Sequence, residues 1–284
     1  MQRGEAPLLV ICHGLCMTMR FRAVIQLALH AYHRWGWHVI AYDARGCGES
    51  AWLCDEQPTG GWLEGEDLVH LARQLRRDER VNSVHALGIS LGGSTVLNGA
   101  RIESAAREAG DPTALDSVIS VSGPTVLDEA VEHISTRPPI TSDFWILYNM
   151  FRVAIRINAR RLGADAGDVT WRHATEAWSA AYHGVDPVEF QQRASAATFA
   201  DSIAIPTLQL HATDDFCVPV SQAIALDRAA RDNPNVHVWV TDRGNHAAFD
   251  AVARRWYRSV IRRWGEYWTQ DTLAATRARR QGAA

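Results

Sequence analysis

From Val84 to Leu87 the chain reads as a short apolar strand, and it runs straight into Gly88-Ile89-Ser90-Leu91-Gly92-Gly93, followed by small residues at helical spacing. This junction constrains the fold more than any other stretch. A strand that turns directly into a helix forces the residue at the corner into strained backbone angles, so the positions two residues away must lack bulk. Gly88 and Gly92 meet that requirement, and Gly93 allows the helix to lie close to the strand layer. A buried strand that becomes a helix at once is half of a βαβ unit, which points to a parallel sheet.

The same alternation recurs along the chain. Strands are predicted at Leu8 to Cys12, His38 to Tyr42, Val84 to Leu87, Ser117 to Val121, Thr207 to His211 and Val236 to Val240. Between them lie helical patterns, such as Phe21, Val24, Ile25, Leu27, Ala28 and Tyr32, or Leu68, Leu71, Ala72 and Leu75. A closing helix carries Phe249, Val252, Trp256, Val260 and Trp264 as an apolar stripe with arginines opposite, and the tail after Leu273 is expected to fray. Strands alternating with helices predict an α/β chain with a mostly parallel, doubly wound sheet, one domain over residues 1–284. Residues 123–204 contain no strand pattern and read as a helical cap inserted between the fourth and fifth strands.

At 284 residues, 47% hydrophobic and 21% charged, the chain can bury a sizeable core. A net charge of −3 gives no reason to expect a nucleic-acid partner. All 29 basic side chains are arginine, which removes Schiff-base chemistry and lysine general bases. The five cysteines, Cys12, Cys16, Cys47, Cys54 and Cys217, follow neither metal-ligand nor disulfide spacing and read as free thiols filling space. There is no phosphate loop, dinucleotide fingerprint or zinc signature, and His30 and His33 have no third ligand in view, so neither cofactor nor metal is expected. No basic segment leads into an apolar run at the amino terminus, and no run approaches the ~20 residues of a membrane span, so the expected location is cytoplasmic.

A serine hydroxyl is a weak nucleophile at neutral pH and needs a base held in place by an acid. In sheets of this kind such groups sit in loops beyond the carboxyl ends of strands. Two loops qualify. After the fifth strand comes HATDDFCVP, in which Asp215 is the preferred acid because of its distance from Val218-Pro219; Asp214 is the alternative, or a brace for the loop. After the sixth comes TDRGNHAAFD, in which His246 sits among small residues; His237, Asp242 and Asp250 are background. An oxyanion would be received by backbone amides: Leu91, which follows the serine, and Leu15 in His13-Gly14-Leu15, with Cys16 as the alternative. His13 itself reads as an anchor for that loop.

Taken in order, HGL at His13, RGCGES at Arg45, GEDL at Gly65, GISLGG at Gly88, YHGVDPVEFQQRASA at Tyr182, IPTLQLHATDDFCVP and GNHAAF resemble the AB hydrolase 4 family. That family is the YheT-like and embryogenesis-associated branch of the α/β-hydrolases. The resemblance implies the α/β-hydrolase fold, a charge-relay triad of Ser90, Asp215 and His246, and hydrolysis of carboxylic esters such as acylglycerols, phospholipids or short-chain esters. Family members carry strands ahead of the HGL strand, and this sequence starts almost at HGL, so the expected sheet lacks them. DDF stands where DDP is common, and GNH where GGH is usual; both leave the triad intact.

Three rival readings stay open at this point: a thioesterase, an acyltransferase with the same residues, and a non-catalytic or truncated ligand-binding protein. Phe144 to Leu162 is apolar at its start and arginine-rich after it. It reads either as a cap helix packed on the core or as an acyl slot touching a lipid surface, so the expected partner is a small-molecule or lipid ester with peripheral membrane contact through the cap. Tyr182 and His183 read as packing residues.

Overall fold

The computed structural model describes residues 1–53, 55–136 and 179–282. Six strands form one sheet: β1 (Ala6–Cys12), β2 (His38–Tyr42), β3 (Val81–Ile89), β4 (Ser117–Val121), β5 (Thr207–Ala212) and β6 (Val236–Thr241). Their order is β2-β1-β3-β4-β5-β6, and every pairing is parallel. Because β1 lies between β2 and β3, the chain reverses its direction of travel across the sheet there. The chain leaves β1 for a helix on one face and β3 for a helix on the other, and ligands of open α/β sheets bind beyond the strand carboxyl ends at such a switch point. HGL follows β1 and the serine turn follows β3.

The helices are α1 (Arg22–His30), α2 (Ser50–Leu53), α3 (Trp62–Leu75), α4 (Leu91–Glu108), α5 (Leu127–Thr136), α6 (Pro187–Ala194), α7 (Ser221–Ala229), α8 (Phe249–Val252) and α9 (Arg254–Gly282). Successive strand side chains point to opposite faces. On one face Leu8, Val10, Val84, Ala86 and Val118 meet Leu68, Val69 and Ala72 of α3 and Val96 and Ala100 of α4. On the other, Leu9, Ile11, Leu87, Ile119 and Leu208 meet Val24 and Leu27 of α1 and Phe249, Tyr257 and Ile261 of the carboxyl-terminal helices. Both faces are covered, which is why the inner strands are buried at nearly every position. β6 is an edge strand, with Trp239 and Val240 exposed.

Three local expectations change. β3 is longer than Val84 to Leu87: polar Asn82 and Ser83 obscure its start, yet β3 pairs with β1 from Val81 onward, and Ser83 Oγ lies 2.7 Å from Thr269 Oγ1 of α9. The single closing stripe is two helices, broken at Ala253 (φ −140°, ψ 46°). The break resets the helical phase, so Val252 and Trp256 are 53% and 39% exposed while Tyr257 and Ile261 are buried. The tail, expected to fray, is helical through Gly282.

Between β4 and β5 the chain leaves at Val121 and returns at Thr207 to the adjacent strand. The described ends of this insertion pack on each other, Leu127 and Val131 of α5 against Phe190 and Ala194 of α6. Asp186 caps α6 by accepting from the Val188 amide at 2.9 Å, with Pro187 in the first turn. The helix expected over Phe144 to Leu162, and Cys54, lie outside the described residues. Among the described residues no helix is long and apolar enough to cross a membrane.

Candidate active site

Ser90 stands at the corner between β3 and α4 with φ 56° and ψ −122°, a positive φ that a side chain tolerates poorly. The corner closes because Gly88 and Gly92 have no side chains: a methyl on Gly88 would overlap the Gly92 carbonyl, and one on Gly92 would overlap the Cys12 carbonyl at the end of β1. Hydrogen bonds hold the turn, with Ser90 N–H donating to Val121 O at 2.9 Å and Gly93 N–H to Ser90 O at 2.7 Å. Leu91 opens α4, so its amide is among those a helix leaves without an intrahelical acceptor.

The acid loop follows β5. Asp215 is buried, and its Oδ1 accepts from the Cys217 and Val218 amides, each at 2.9 Å. His246 Nδ1 lies 3.0 Å from Asp215 Oδ1 and 3.1 Å from Oδ2, and His246 Nε2 lies 3.0 Å from Ser90 Oγ. An unbroken chain therefore links serine hydroxyl, imidazole and carboxylate, across 156 residues between Ser90 and His246. Burial pushes the His246 imidazole down, but the neighbouring Cys217 sulfur and the Asp215 carboxylate outweigh it and hold the ring well above its ordinary range. Burial pushes Asp215 up; the His246 charge and hydrogen bond, with the Val218 amide, prevail and keep the carboxyl below its ordinary value.

Asp214 faces the other way. Its Oδ1 accepts from the Gly244 and Asn245 amides at 2.8 and 2.6 Å, tying the acid loop to the histidine loop. Asn245 has φ 48°, the left-handed region that asparagine tolerates best after glycine, and its Oδ1 accepts from the His246 amide at 2.7 Å. GNH thus keeps the turn geometry that a second glycine would serve.

The HGL loop packs against the serine. A methyl on Gly14 would meet Ser90 Cβ at 3.1 Å. His13 is buried, with Nδ1 donating to Gly14 O at 2.8 Å and Nε2 accepting from the Ala44 amide at 3.1 Å, so it bridges the β1 and β2 loops. Burial lowers its pKa, which keeps it neutral in that role. Leu15 lies in the turn closed by Met17 N–H donating to Gly14 O at 3.2 Å. The Cys16 amide is directed at the Cys47 sulfur. Arg45 of RGCGES reaches Asp67 of GEDL through Nε and an Nη at 2.8 and 2.7 Å, which fixes two of the sequence motifs to each other. Cys12, Cys16, Cys47 and Cys217 are free; burial pushes the first three thiols up to about 12, so they are protonated at neutral pH.

Two positioning residues escape the sequence reading. Ser122, at φ 52° beyond β4, donates its amide to Leu210 O and accepts from the Ala247 amide at 3.1 Å, which supports the histidine loop from below. His211 is buried at the end of β5, 2.9 Å from Val218 O through Nε2 and 3.8 Å from Asp215 Oδ2. A histidine at the end of a predicted strand, four residues before Asp215, was the only local sign of it; Ser122 had none.

A family model described as the alpha/beta hydrolase fold matches residues 7–251. The monoacylglycerol lipase of Saccharomyces cerevisiae is 26% identical over 276 residues, covering 91% of this chain and 58% of the lipase. The candidate esterase YheT of Escherichia coli is 26% identical over 282 residues, covering 93% of this chain and 77% of its own length. The chain thus spans about three-fifths of the length of the yeast relative. Among solved structures, an esterase of Pyrococcus furiosus superposes with a TM-score of 0.65 at 17% identity, covering 94% of this chain and 84% of that one. A Butyrivibrio proteoclasticus protein, Est1E with ferulic acid bound, gives 0.56 at 14% identity, covering 95% and 90%. With the six-stranded parallel sheet and the match over residues 7–251, this chain belongs to the α/β-hydrolase fold family.

Proposed function

We propose that the protein is a serine hydrolase of carboxylic esters, with Ser90 as nucleophile, His246 as general base and then acid, and Asp215 as the group that holds the imidazole. The observation that carries this reading is the continuous hydrogen-bonded chain from Ser90 Oγ through His246 to Asp215. His246 takes the Ser90 proton as the hydroxyl attacks the ester carbonyl, and Asp215 orients the ring and stabilises its charged form. The Leu91 and Leu15 amides receive the oxyanion. His246 then protonates the departing alcohol, and water activated by the same ring releases the acid.

Acylglycerol or phospholipid esters belong to the same proposal, motivated by the named activity of the yeast relative. So do the cap over residues 123–204 as the cover of the acyl site, its contact with a lipid surface, and a cytoplasmic location. Labelling the folded protein with a fluorophosphonate and mapping the adduct tests the assignment: the label is expected on Ser90 and absent in Ser90→Ala. Labelling elsewhere, or none, overturns it. Turnover of an ester against its thioester, with and without an alcohol acceptor, separates ester hydrolysis from thioesterase and acyltransferase activity.

A further inference from the structure

Away from Ser90, a groove of about 600 Å³ opens where α3, α4, α6 and the turn at Phe199 meet. Its position is set by α4: Arg101 is ten residues beyond Leu91, ~15 Å along the helix at 1.5 Å per residue. Two guanidinium groups line it, and each lies over an aromatic ring. Arg193 is 4.4 Å from the centre of Trp62, and Arg101 is 5.2 Å from the centre of Phe199. A cation–π contact engages the face of a guanidinium, and those of its N–H donors that are not otherwise paired can grip an oxyanion.

The charges around the two arginines differ. Arg193 pairs with Glu189 one helical turn earlier on α6. Arg101 makes no ion pair among the described residues, and its Nε is buried without a hydrogen-bond partner. The carboxylate that acts on it is Glu66, across the groove on α3, through space and without contact. Burying a guanidinium edge that has nothing to bond is costly, and a bound anion would offset that cost. The Gln192 side chain adds a neutral donor on the same wall, while the Thr198 hydroxyl donates to the Ser195 carbonyl at 2.7 Å. The volume exceeds what a phosphate fills and falls in the range of small-molecule sites, and the Trp62 and Phe199 rings give it apolar sides.

We propose that this groove is a second ligand site, which takes the phosphoryl group of a small phosphate compound on the edges of Arg101 and Arg193. Nothing in the proposal depends on the chemistry at Ser90.

Calorimetric titration at constant ionic strength, with chloride as the balancing anion, tests it with inorganic phosphate and with phenyl phosphate. Saturable binding is expected. Tighter binding of phenyl phosphate assigns the site to an organic phosphate, and equal binding assigns it to free phosphate. Arg101→Met keeps an unbranched stem of similar size without the charge and should weaken binding about tenfold or more, with p-nitrophenyl ester turnover unchanged. Glu66→Gln removes the competing carboxylate and should tighten binding several-fold, an effect that a misfolded variant could not produce. Ser90→Ala should bind phosphate as the parent does, which separates the groove from the oxyanion site. Absence of saturable binding, or unchanged affinity in either groove variant, overturns the proposal.

Discussion

At the scale of single residues, the candidate site depends on which tautomer and charge His246 carries. With Nδ1–H held by Asp215, Nε2 is free to accept the Ser90 proton. Ser90→Ala is expected to lower ester turnover by roughly 10⁴ or more, leaving what the backbone donors alone provide. Asp215→Asn should cost about 10⁴ in kcat, because the amide stabilises the wrong tautomer. Asp214→Ala should act differently: it frees two loop amides, so stability falls by about 1–3 kcal/mol and the loss of activity is smaller than for Asp215→Asn.

The raised His246 pKa gives a pH signature with two opposite trends. Only the neutral ring is a base, so kcat/KM should climb with pH through an ionisation above the ordinary value of about 6.5. The stabilisation from the charged ring beside Asp215 is full below the unfolded value and is lost as pH rises through the folded one. Rate and ion-pair stability should therefore cross in the same window. A rate profile whose midpoint sits at or below 6.5 would falsify the assignment of His246 as a base held by Asp215.

At the scale of elements, the serine turn was legible because its constraint is local: a glycine two residues on either side is needed wherever a strand turns into a helix over a serine with positive φ. Gly92→Ala should cost about 3 kcal/mol or more, since the added methyl meets the Cys12 and His13 carbonyls, which belong to backbone and cannot swing away. The carboxyl-terminal helices were legible only in part. Periodicity alone carried the stripe across Ala253, where the chain leaves helical angles. The two halves predict different outcomes: Phe249→Ala should cost about 3–5 kcal/mol in chemical denaturation, whereas Trp256→Ala, at a site 39% exposed, should cost well under half of that.

At the scale of the whole molecule, His85 joins the sheet to the last helix. It is buried on β3, with Nδ1 2.8 Å from Ser117 Oγ and Nε2 2.9 Å from Thr269 Oγ1, and burial lowers its pKa to about 4. Its stabilisation is present above the unfolded value of about 6.5 and is lost as pH falls towards 4, a swing of about 3 kcal/mol. Urea midpoints should therefore drop between pH 6.5 and 4, and the drop should shrink in His85→Gln. An equal slope in both proteins would show that other groups govern acid unfolding.

The sequence by itself determined the alternation of strands and helices, the serine turn, and the loops that hold Asp215 and His246. These depend on period, on glycine placement and on position beyond a strand, all local properties. The β2-β1-β3 reversal that sets the switch point beside Ser90 came only from the tertiary structure. So did the support of the histidine loop by Ser122 and Asp214, and the second groove between α3, α4 and α6. Each of these joins segments far apart in the chain through hydrogen bonds or stacking. Such contacts follow from how the elements pack, and leave no period or spacing in the sequence to reveal them.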